Sequence, residues 1–269
     1  MEYDLVVLDL DDTLLTANEE ISDYSLKIIS EIRKLGVRFT LATGRMFASA
    51  LPYAKQLDIE LPIITYNGAY IRRPGDDKPL YHRPLEMETA GEIIAEAEKR
   101  GLRINFYQND RLYVEKKRAE VKNYERIAGV EAREVGRISN FISESPTKLL
   151  IIEDDRVRHQ KLLKYFKEKY TDLEIVESKP NFIEFDAPDV SKGSALRLVT
   201  DYLGIERKRT VGIGDSGNDI SLVRKAGLGI AMGNSPEEVK QAADRIAADN
   251  ENHGVARILA DIFLETAEL

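Results

Sequence analysis

The stretch VVLDLDDTLL, residues 6–15, places three aspartates within four positions directly behind an apolar run. The apolar run predicts a buried strand over residues 4–9. Carboxylates crowded at the end of such a strand repel one another and resist removal from water, so a purely structural role would require compensating cations. The sequence therefore predicts that a positively charged group binds beside this strand end.

Strands and helices alternate in the residues that follow. The order is a helix that Ser22 caps and Gly36 ends, a strand in VRFTLATGR (37–45), a helix over about 46–57, and the strand PIITY (62–66). This alternation predicts a parallel sheet with right-handed crossover connections. Such sheets bind their ligands beyond the carboxyl ends of the strands, where Asp9, Thr43 and Asn67 fall.

A second α/β unit interrupts this pattern after the turn signal RPGDD (73–77). It contains helices over about 87–100 and 157–170 and the strands RINFYQ, LYVE, TKLLIIE and LEIVES. The first pattern returns with a helix over about 192–203, the strands TVGIGD and GLGIAM, and a last helix that Ser235 starts in a capping box with Glu238. We predict an α/β fold with a Rossmann-like parallel-sheet core, residues 1–81 and 183–269, and an inserted α/β unit, residues 82–182.

The composition is that of a globular protein. Of 269 residues, 43% are hydrophobic and 32% are charged, and the net charge is −8 with scattered basic residues. We therefore expect no nucleic-acid partner, and no apolar stretch approaches the roughly 20 residues of a membrane span. The absence of cysteine excludes disulfides, thiolate metal sites and a cysteine nucleophile. We expect a cytoplasmic monomer or weak homodimer without a membrane partner.

Four polar clusters fall at the ends of the predicted core strands or at the start of a core helix: Asp9/Asp11/Thr13, Thr43/Gly44/Arg45, Lys192/Gly193 and Asp215/Asn218/Asp219. Carboxylates from two strands thus converge with one lysine and one hydroxyl. Mg²⁺ prefers oxygen ligands and commonly bridges one or two carboxylates to a substrate phosphate. We predict that Mg²⁺ and Lys192 together provide the positive charge at the first strand end.

A cluster of this kind favours phosphoryl transfer, because that transition state needs charge neutralisation and positioning. An aspartate is ionised at neutral pH and can attack phosphorus to form an aspartyl-phosphate. A second carboxylate two residues away can protonate the leaving alkoxide and later deprotonate water, and we expect its crowded neighbours to raise its affinity for that proton.

These clusters resemble, in the same order, the four motifs of the haloacid-dehalogenase-like hydrolases. The motifs are DLDDT (9–13), TGR (43–45), Lys192-Gly193 and GDSGND (214–219). Asn67-Gly68-Ala69, the long insertion between the second and third motifs, and AMGNS (231–235) resemble the Cof-type subfamily with an α/β cap, class IIB. The resemblance covers essentially the whole chain and identifies residues 82–182 as the cap.

The resemblance implies a role for each matching acidic residue. Asp9 matches the nucleophile and a metal ligand. Asp11 matches the general acid/base, and its backbone carbonyl also matches a metal ligand. Asp215 matches the remaining protein ligand of Mg²⁺, while Thr13 and Asp219 are expected to position these groups from outside the metal's ligand set.

The remaining matches imply a phosphate site. Thr43 and Gly44 match the hydroxyl and amide that hold the phosphate, and Lys192 matches the cation that neutralises it. Three further residues are expected to contact the phosphoryl group or the rest of the substrate: Asn218, Arg45 and Asn67. We predict a Mg²⁺-dependent phosphatase acting on small phosphorylated metabolites, such as sugar phosphates or cofactor- and nucleotide-related phosphates.

Three alternatives stay open. GIGDSG (212–217) fits the dinucleotide pattern GxGxxG of oxidoreductases, but it falls late in the chain and places Asp215 where a pyrophosphate would approach. A phospho-accepting signalling domain combines similar residues, but its acidic pair and its phosphorylated aspartate lie on different strands, without a cap. A phosphomutase or phosphotransferase with a similar cap is the third alternative.

One residue departs from the pattern of the resemblance. Position 12 is Asp12, where the Cof-type subfamily usually has glycine, which suits a tight turn. An aspartate tolerates turn geometry better than most side chains. We expect Asp12 to point away from the site.

Overall fold

The computed structural model describes residues 2–118, 121–122, 125–126 and 129–264. Its strands are β1 (Leu5–Leu8), β2 (Arg38–Leu41), β3 (Ile63–Thr65), β4 (Tyr70–Arg72), β5 (Tyr81–His82), β6 (Arg103–Gln108), β7 (Arg111–Val114), β8 (Ala132–Glu134), β9 (Lys148–Ile152), β10 (Glu174–Glu177), β11 (Phe182–Asp186), β12 (Thr210–Gly214), β13 (Leu228–Ala231) and β14 (Arg245–Ile246). Its α-helices are α1 (Asp23–Lys34), α2 (Phe47–Gln56), α3 (Met87–Lys99), α4 (Arg156–Lys169), α5 (Lys192–Leu203), α6 (Ile220–Lys225), α7 (Glu237–Lys240) and α8 (Gly254–Phe263).

A five-stranded parallel sheet in the order β14-β13-β12-β1-β2 carries the three motifs that follow strands, which are the first, second and fourth. Every residue of β1 is buried, because alternate side chains pack against helices on the two faces of the sheet. The carboxyl ends of neighbouring parallel strands meet at one edge. Asp9, Thr43 and Asp215 therefore follow their strands at the same edge of this sheet.

The predicted third core strand lies beside β2. A parallel bridge joins Ala42 to Ile64 of β3, and β3 also begins a three-stranded antiparallel sheet, β3-β4-β5. This small sheet carries the chain away from the parallel sheet into the inserted unit.

The inserted unit is built on a six-stranded sheet in the order β10-β11-β9-β6-β7-β8, antiparallel except for the pair β7–β8. A parallel-sheet core with a separate α/β unit confirms the predicted fold class. β11 belongs to the six-stranded sheet, although our division at residue 182 assigned it to the core. The domain boundaries stay a prediction, and the pairing of β11 favours placing the second one after Asp186.

The predicted helix starts differ in outcome. Ser22 caps α1, since its side chain accepts a hydrogen bond from the amide of Ser25. The predicted capping box at Ser235 is wrong, because Pro236 occupies the N-cap position of α7, which spans only four residues. The Ser235 hydroxyl has no partner among the described residues. Within those residues, no helix is both long and apolar enough to cross a membrane.

Candidate active site

A buried ion pair of Asp9 and Lys192 lies at the edge of the parallel sheet. Asp9 directly follows β1, and Lys192 is the first residue of α5. The Lys192 ammonium donates hydrogen bonds to Asp9 Oδ1 and to Asp219 Oδ1, both at 2.6 Å. Asp9 is 3% exposed and Lys192 is 1% exposed. Burial alone would lower the pKa of Lys192, but the two carboxylates raise it, so the lysine is charged.

Asp215 and Asp219 bring two further carboxylates to this place. Asp215 follows β12, and its Oδ1 accepts a hydrogen bond from the Thr13 hydroxyl at 3.0 Å. Oδ2 of Asp219 accepts from two backbone amides at 3.2 and 3.1 Å, so both of its oxygens have donors. Gly214 permits this approach, because a Cβ there would lie 2.3 Å from Cγ of Asp219.

Asp9, Asp215, Asp219 and Lys192 are called the core acidic cluster below. One oxygen from each of the three aspartates lies within 4.8 Å of the others. Burial and the neighbouring carboxylates raise the pKa of Asp9 to about 7 and that of Asp215 to about 9, although Lys192 opposes both shifts. Buried carboxylate oxygens that resist ionisation are a donor set that a dication stabilises, so the residues fit a metal ion.

The carboxylate of Asp11 is bound by cations and lies outside this cluster. Arg45 donates from Nε at 2.8 Å and from Nη2 at 2.9 Å, and the Lys179 ammonium lies 3.5 Å away. Arg45 also pairs with Glu19. Burial would raise the pKa of Asp11, but Arg45 above all, and then Lys179, lowers it to about 2. Our expectation that crowding favours a proton on Asp11 is therefore wrong in this structure.

Thr43 and Gly44 form the turn after β2. The buried Thr43 hydroxyl accepts a hydrogen bond from the amide of Arg45 at 3.1 Å. Gly44 has no room for a side chain, because a Cβ would lie 2.8 Å from Oδ1 of Asn67. Its carbonyl accepts a hydrogen bond from Lys148 of β9 at 2.7 Å. The predicted phosphate-holding turn is thus in direct contact with the six-stranded sheet.

Asn67 and Asn218 connect the site at the edge of the parallel sheet to the six-stranded sheet. Asn67 Oδ1 accepts from Asn218 at 2.9 Å, and Asn67 Nδ2 donates to Glu184 at 2.6 Å and to Asp186 at 2.7 Å. Lys148 pairs with Glu184 at 3.2 Å. Burial raises the pKa of Asp186 to about 8, with Glu184 adding to the shift and Lys148 opposing it. Both N–H groups of Asn67 are therefore occupied, which leaves none for the predicted substrate contact.

Asn67, Lys148, Glu184 and Asp186 are called the bridging cluster below. A cavity of about 70 Å³ separates part of this cluster from the core acidic cluster. Five residues of the six-stranded sheet and its β10–β11 turn line it: Lys148, Ser178, Lys179, Phe182 and Glu184. None of them was predicted, because they share no contiguous motif. The available signal was the charge of Lys148 in the strand KLLII and of Glu184 in the strand FIEFD, where the other residues apart from Asp186 are apolar.

Asp12 lies at the mouth of the site. Its φ of 54° is in the left-handed region, which glycine adopts without strain, and this explains why glycine suits the position. Asp12 is exposed and is one of the residues that line the cavity, so the expectation that it points away is not supported. Its carbonyl accepts a hydrogen bond from Asn234 at 2.8 Å, which ties the first motif to AMGNS.

Comparison with known proteins identifies the family. Residues 6–259 match the model of the haloacid dehalogenase-like hydrolases. The chain therefore belongs to the haloacid dehalogenase-like hydrolases. This finding confirms the resemblance and the prediction of a hydrolytic enzyme, and it disfavours both the oxidoreductase and the signalling-domain alternatives.

Individual relatives match over almost their whole length. The chain is 33% identical over 267 residues to a putative phosphatase of Haemophilus influenzae, covering 98% of this chain and 100% of the relative. It is 29% identical over 271 residues to a 5-amino-6-(5-phospho-D-ribitylamino)uracil phosphatase of Bacillus subtilis, covering 96% and 97%. The solved structure of a subclass IIB sugar phosphatase, 23% identical, has a TM-score of 0.85 and covers 96% of this chain and 98% of that chain. The likeness to that structure shows that the fold is shared.

Proposed function

We propose that the protein is a Mg²⁺-dependent phosphatase that hydrolyses small phosphorylated metabolites through an aspartyl-phosphate on Asp9. The observation that carries this proposal is the core acidic cluster, in which Lys192 holds Asp9 beside two further carboxylates. A carboxylate nucleophile next to cations is what phosphoryl transfer requires. The two sequence relatives are named as phosphatases, one of them putative, which supports the same activity.

Asp9 would attack phosphorus with Oδ2. Lys192 binds Oδ1, and within the described residues no hydrogen bond is made to Oδ2. The attack forms the Asp9 Oδ2–P bond as the bond from phosphorus to the leaving oxygen breaks. The charged Lys192 offsets negative charge on Asp9 and on the bound phosphate, so that the two anions can approach.

Asp9 and Asp215 would hold the metal ion, together with the backbone carbonyl of Asp11 that the resemblance implies. Asp219 is less suited, because Lys192 and two amides already occupy its oxygens, and we assign it the positioning of Lys192. Thr13 positions Asp215 in the same way. When bound, Mg²⁺ supplies neutralisation of charge on the transferring phosphoryl group.

We assign acid/base catalysis to Asp11. Its low pKa in this structure leaves the carboxylate ionised at neutral pH. The second half-reaction requires this ionised form, because a carboxylate there takes a proton from the water that attacks the aspartyl-phosphate. In the first half-reaction Asp11 must instead protonate the leaving oxygen. A phosphate ester beside Arg45 would compete with Asp11 for the guanidinium and so raise the proton affinity of Asp11.

The substrate is proposed to be a small hydrophilic phosphate ester. Thr43, Gly44 and Asn218 would hold its phosphate, and Lys179 and Phe182 would face the leaving group, which suits a sugar phosphate or a cofactor- or nucleotide-related phosphate. The cavity of about 70 Å³ is smaller than the roughly 300–1,000 Å³ of ordinary ligand pockets, so the cap must move to admit substrate. We further propose a cytoplasmic monomer or weak homodimer.

The test is release of phosphate from a panel of phosphorylated metabolites that includes hexose phosphates and 5-amino-6-(5-phospho-D-ribitylamino)uracil, with Mg²⁺ and with a chelator. Asp9→Asn should lower turnover by orders of magnitude, because it removes the nucleophile. Asp201→Asn on the exposed face of α5 is the matched control and should leave turnover unchanged.

Full activity in Asp9→Asn, or in the presence of chelator, would overturn the mechanism. Transfer of phosphate to an added sugar in preference to water would instead establish a phosphotransferase or phosphomutase. A stable phosphorylated Asp9 that forms from acetyl phosphate and does not turn over would establish a signalling domain.

A further inference from the structure

Helix α2 begins just after the TGR motif. Its N-terminus is capped by a residue of the hairpin turn that joins β6 and β7 of the six-stranded sheet. The first amides of a helix have no partner within the helix and are normally satisfied by a side chain at its own N-cap position. Met46 occupies that position in α2 and offers no such side chain. Asp110, at the tip of the β6–β7 hairpin, instead accepts a hydrogen bond from the amide of Ala48 at 2.9 Å.

Asp110 is held in place by its own turn and by the core. Asn109 and Asp110 both have φ of 52°, and Gln108 pairs with Arg111, as a two-residue hairpin turn requires. The Tyr66 hydroxyl donates a hydrogen bond to the second oxygen of Asp110 at 2.9 Å. The carboxylate therefore makes two contacts across the interface between the sheets.

Lys148 contacts the same segment of the core from a second direction. It is 3% exposed, and its ammonium donates to the carbonyl of Gly44 at 2.7 Å while it pairs with Glu184 at 3.2 Å. Two side chains of the cap, Lys148 and Asp110, thus hold the segment 43–48 at its beginning and at its end.

We propose that Asp110 and Lys148 are positioning residues that order the segment 43–48 when the cap is closed, so that cap closure and the assembly of the phosphate site are one event. The proposal rests on the phosphate-holding role that the proposed function gives to Thr43 and Gly44. Opening of the cap removes a hydrogen-bond acceptor from the start of α2 and the ammonium from Gly44. An open cap therefore leaves the phosphate site less ordered.

The hairpin turn offers a set of matched variants. Asp110→Gly removes the carboxylate but keeps the turn, because glycine adopts a positive φ without strain and asparagine followed by glycine is a favoured sequence for this turn. Asn109→Gly changes the neighbouring turn residue and leaves the carboxylate in place. Asp110→Asn is the conservative variant, since asparagine caps helices about as well as aspartate and tolerates the same conformation.

Cap closure can be measured without catalysis by attaching dyes to introduced cysteines. Because the chain has no cysteine of its own, only the introduced ones are labelled. Val157→Cys on α4 of the cap and Lys208→Cys in the parallel-sheet unit place the dyes at exposed positions for single-molecule energy transfer. In that background Asp110→Gly should lower the ratio of closed to open molecules about 2- to 30-fold, the range that loss of one N-cap produces. Lys148→Met should act in the same direction, whereas Asn109→Gly and Asp110→Asn should resemble the parent.

Inorganic phosphate provides the second readout. Asp110→Gly and Lys148→Met should weaken inhibition by inorganic phosphate and raise KM by a similar factor for every ester in the panel. The thermal stability of Asp110→Gly should stay close to that of Asn109→Gly. An unchanged closed fraction in both variants would overturn the proposal. So would a KM change confined to some leaving groups. If no ester is hydrolysed, the proposed function fails, but the energy-transfer result still decides whether these residues close the cap.

Discussion

The core acidic cluster and the bridging cluster are two buried groups of acids, each with one lysine, and they satisfy their charge differently. In the core acidic cluster one lysine serves two carboxylates, and Asp215 receives only the Thr13 hydroxyl among the described residues. In the bridging cluster Glu184 receives donors from Lys148, Asn67 and Ser178. In the bridging cluster only Asp186 is short of donors, since its buried Oδ1 has no hydrogen-bond partner among the described residues. Crowded acids therefore indicate a metal site where several carboxylates, as in the core acidic cluster, share too few donors.

The largest expected effect is the difference in turnover and stability between variants of Lys192 and of Lys148. Lys192→Met leaves Asp9 and Asp219 buried without their cation, so it should abolish turnover and destabilise the fold by about 3–5 kcal/mol. Lys148→Met leaves Glu184 with its other donors, so the loss should be nearer about 1–3 kcal/mol, with turnover still measurable. Steady-state kinetics and denaturant unfolding of the two variants provide the comparison. Equal losses in both would show that the clusters do not differ as described.

A second difference concerns pH. Asp9 and Asp215 have folded pKa values raised to about 7 and about 9, above the roughly 3.9 of an unfolded aspartate. The stability that they contribute without metal is full below about pH 4 and is lost as the pH rises through 7 and then 9. The melting temperature of metal-free protein should thus fall by several degrees between pH 6 and pH 9, and Mg²⁺ should restore more of it at pH 9.

Two isosteric variants assign that pH dependence. Asp186, with a pKa of about 8, contributes stability with the same sign but lies in the bridging cluster. Asp215→Asn should remove the rise in melting temperature that Mg²⁺ produces, whereas Asp186→Asn should keep it and flatten only the part that is independent of metal. A full Mg²⁺ response in Asp215→Asn would contradict the assignment of the metal to the core acidic cluster.

The smallest expected effect is at Asp12. A non-glycine residue with φ of 54° is strained, so Asp12→Gly should stabilise the protein by about 1 kcal/mol or less. It also removes a negative charge from the mouth of the cavity, so KM for anionic esters should fall slightly while turnover stays constant. A marked loss of turnover would show that Asp12 takes part in the reaction.

The motifs at strand ends were predictable because geometry repeats in parallel sheets. Once β1, β2 and β12 are assigned, their carboxyl ends must meet, and Asp9, Thr43 and Asp215 follow those ends. The hydrophobic patterns of the strands and helices were therefore enough to predict most of the core and the location of the site.

The contacts across the interface were not predictable from local patterns. The pairing of β11 with β9 and β10 depends on sheet register, and FIEFDA alone does not say which sheet it joins. Asp11 was expected to gain a proton from crowding, but Arg45, 34 residues away in the sequence, reverses the shift. Asn67 reads as a turn residue, and only the folded structure shows that it spans to Glu184 and Asp186.

The hydrogen bond from the N-terminus of helix α2 to Asp110 has a consequence for exchanging inserted units among relatives. A foreign insertion grafted between β4 and α5 would bring its own leaving-group pocket but would leave the start of α2 and the carbonyl of Gly44 without their partners. Such a chimera should recognise the leaving group of the intended metabolite but bind its phosphate weakly, so that its KM is raised. An aspartate at the position of Asp110 and a lysine at the position of Lys148 should lower that KM again. A successful exchange therefore has to include these two residues as well as the leaving-group pocket.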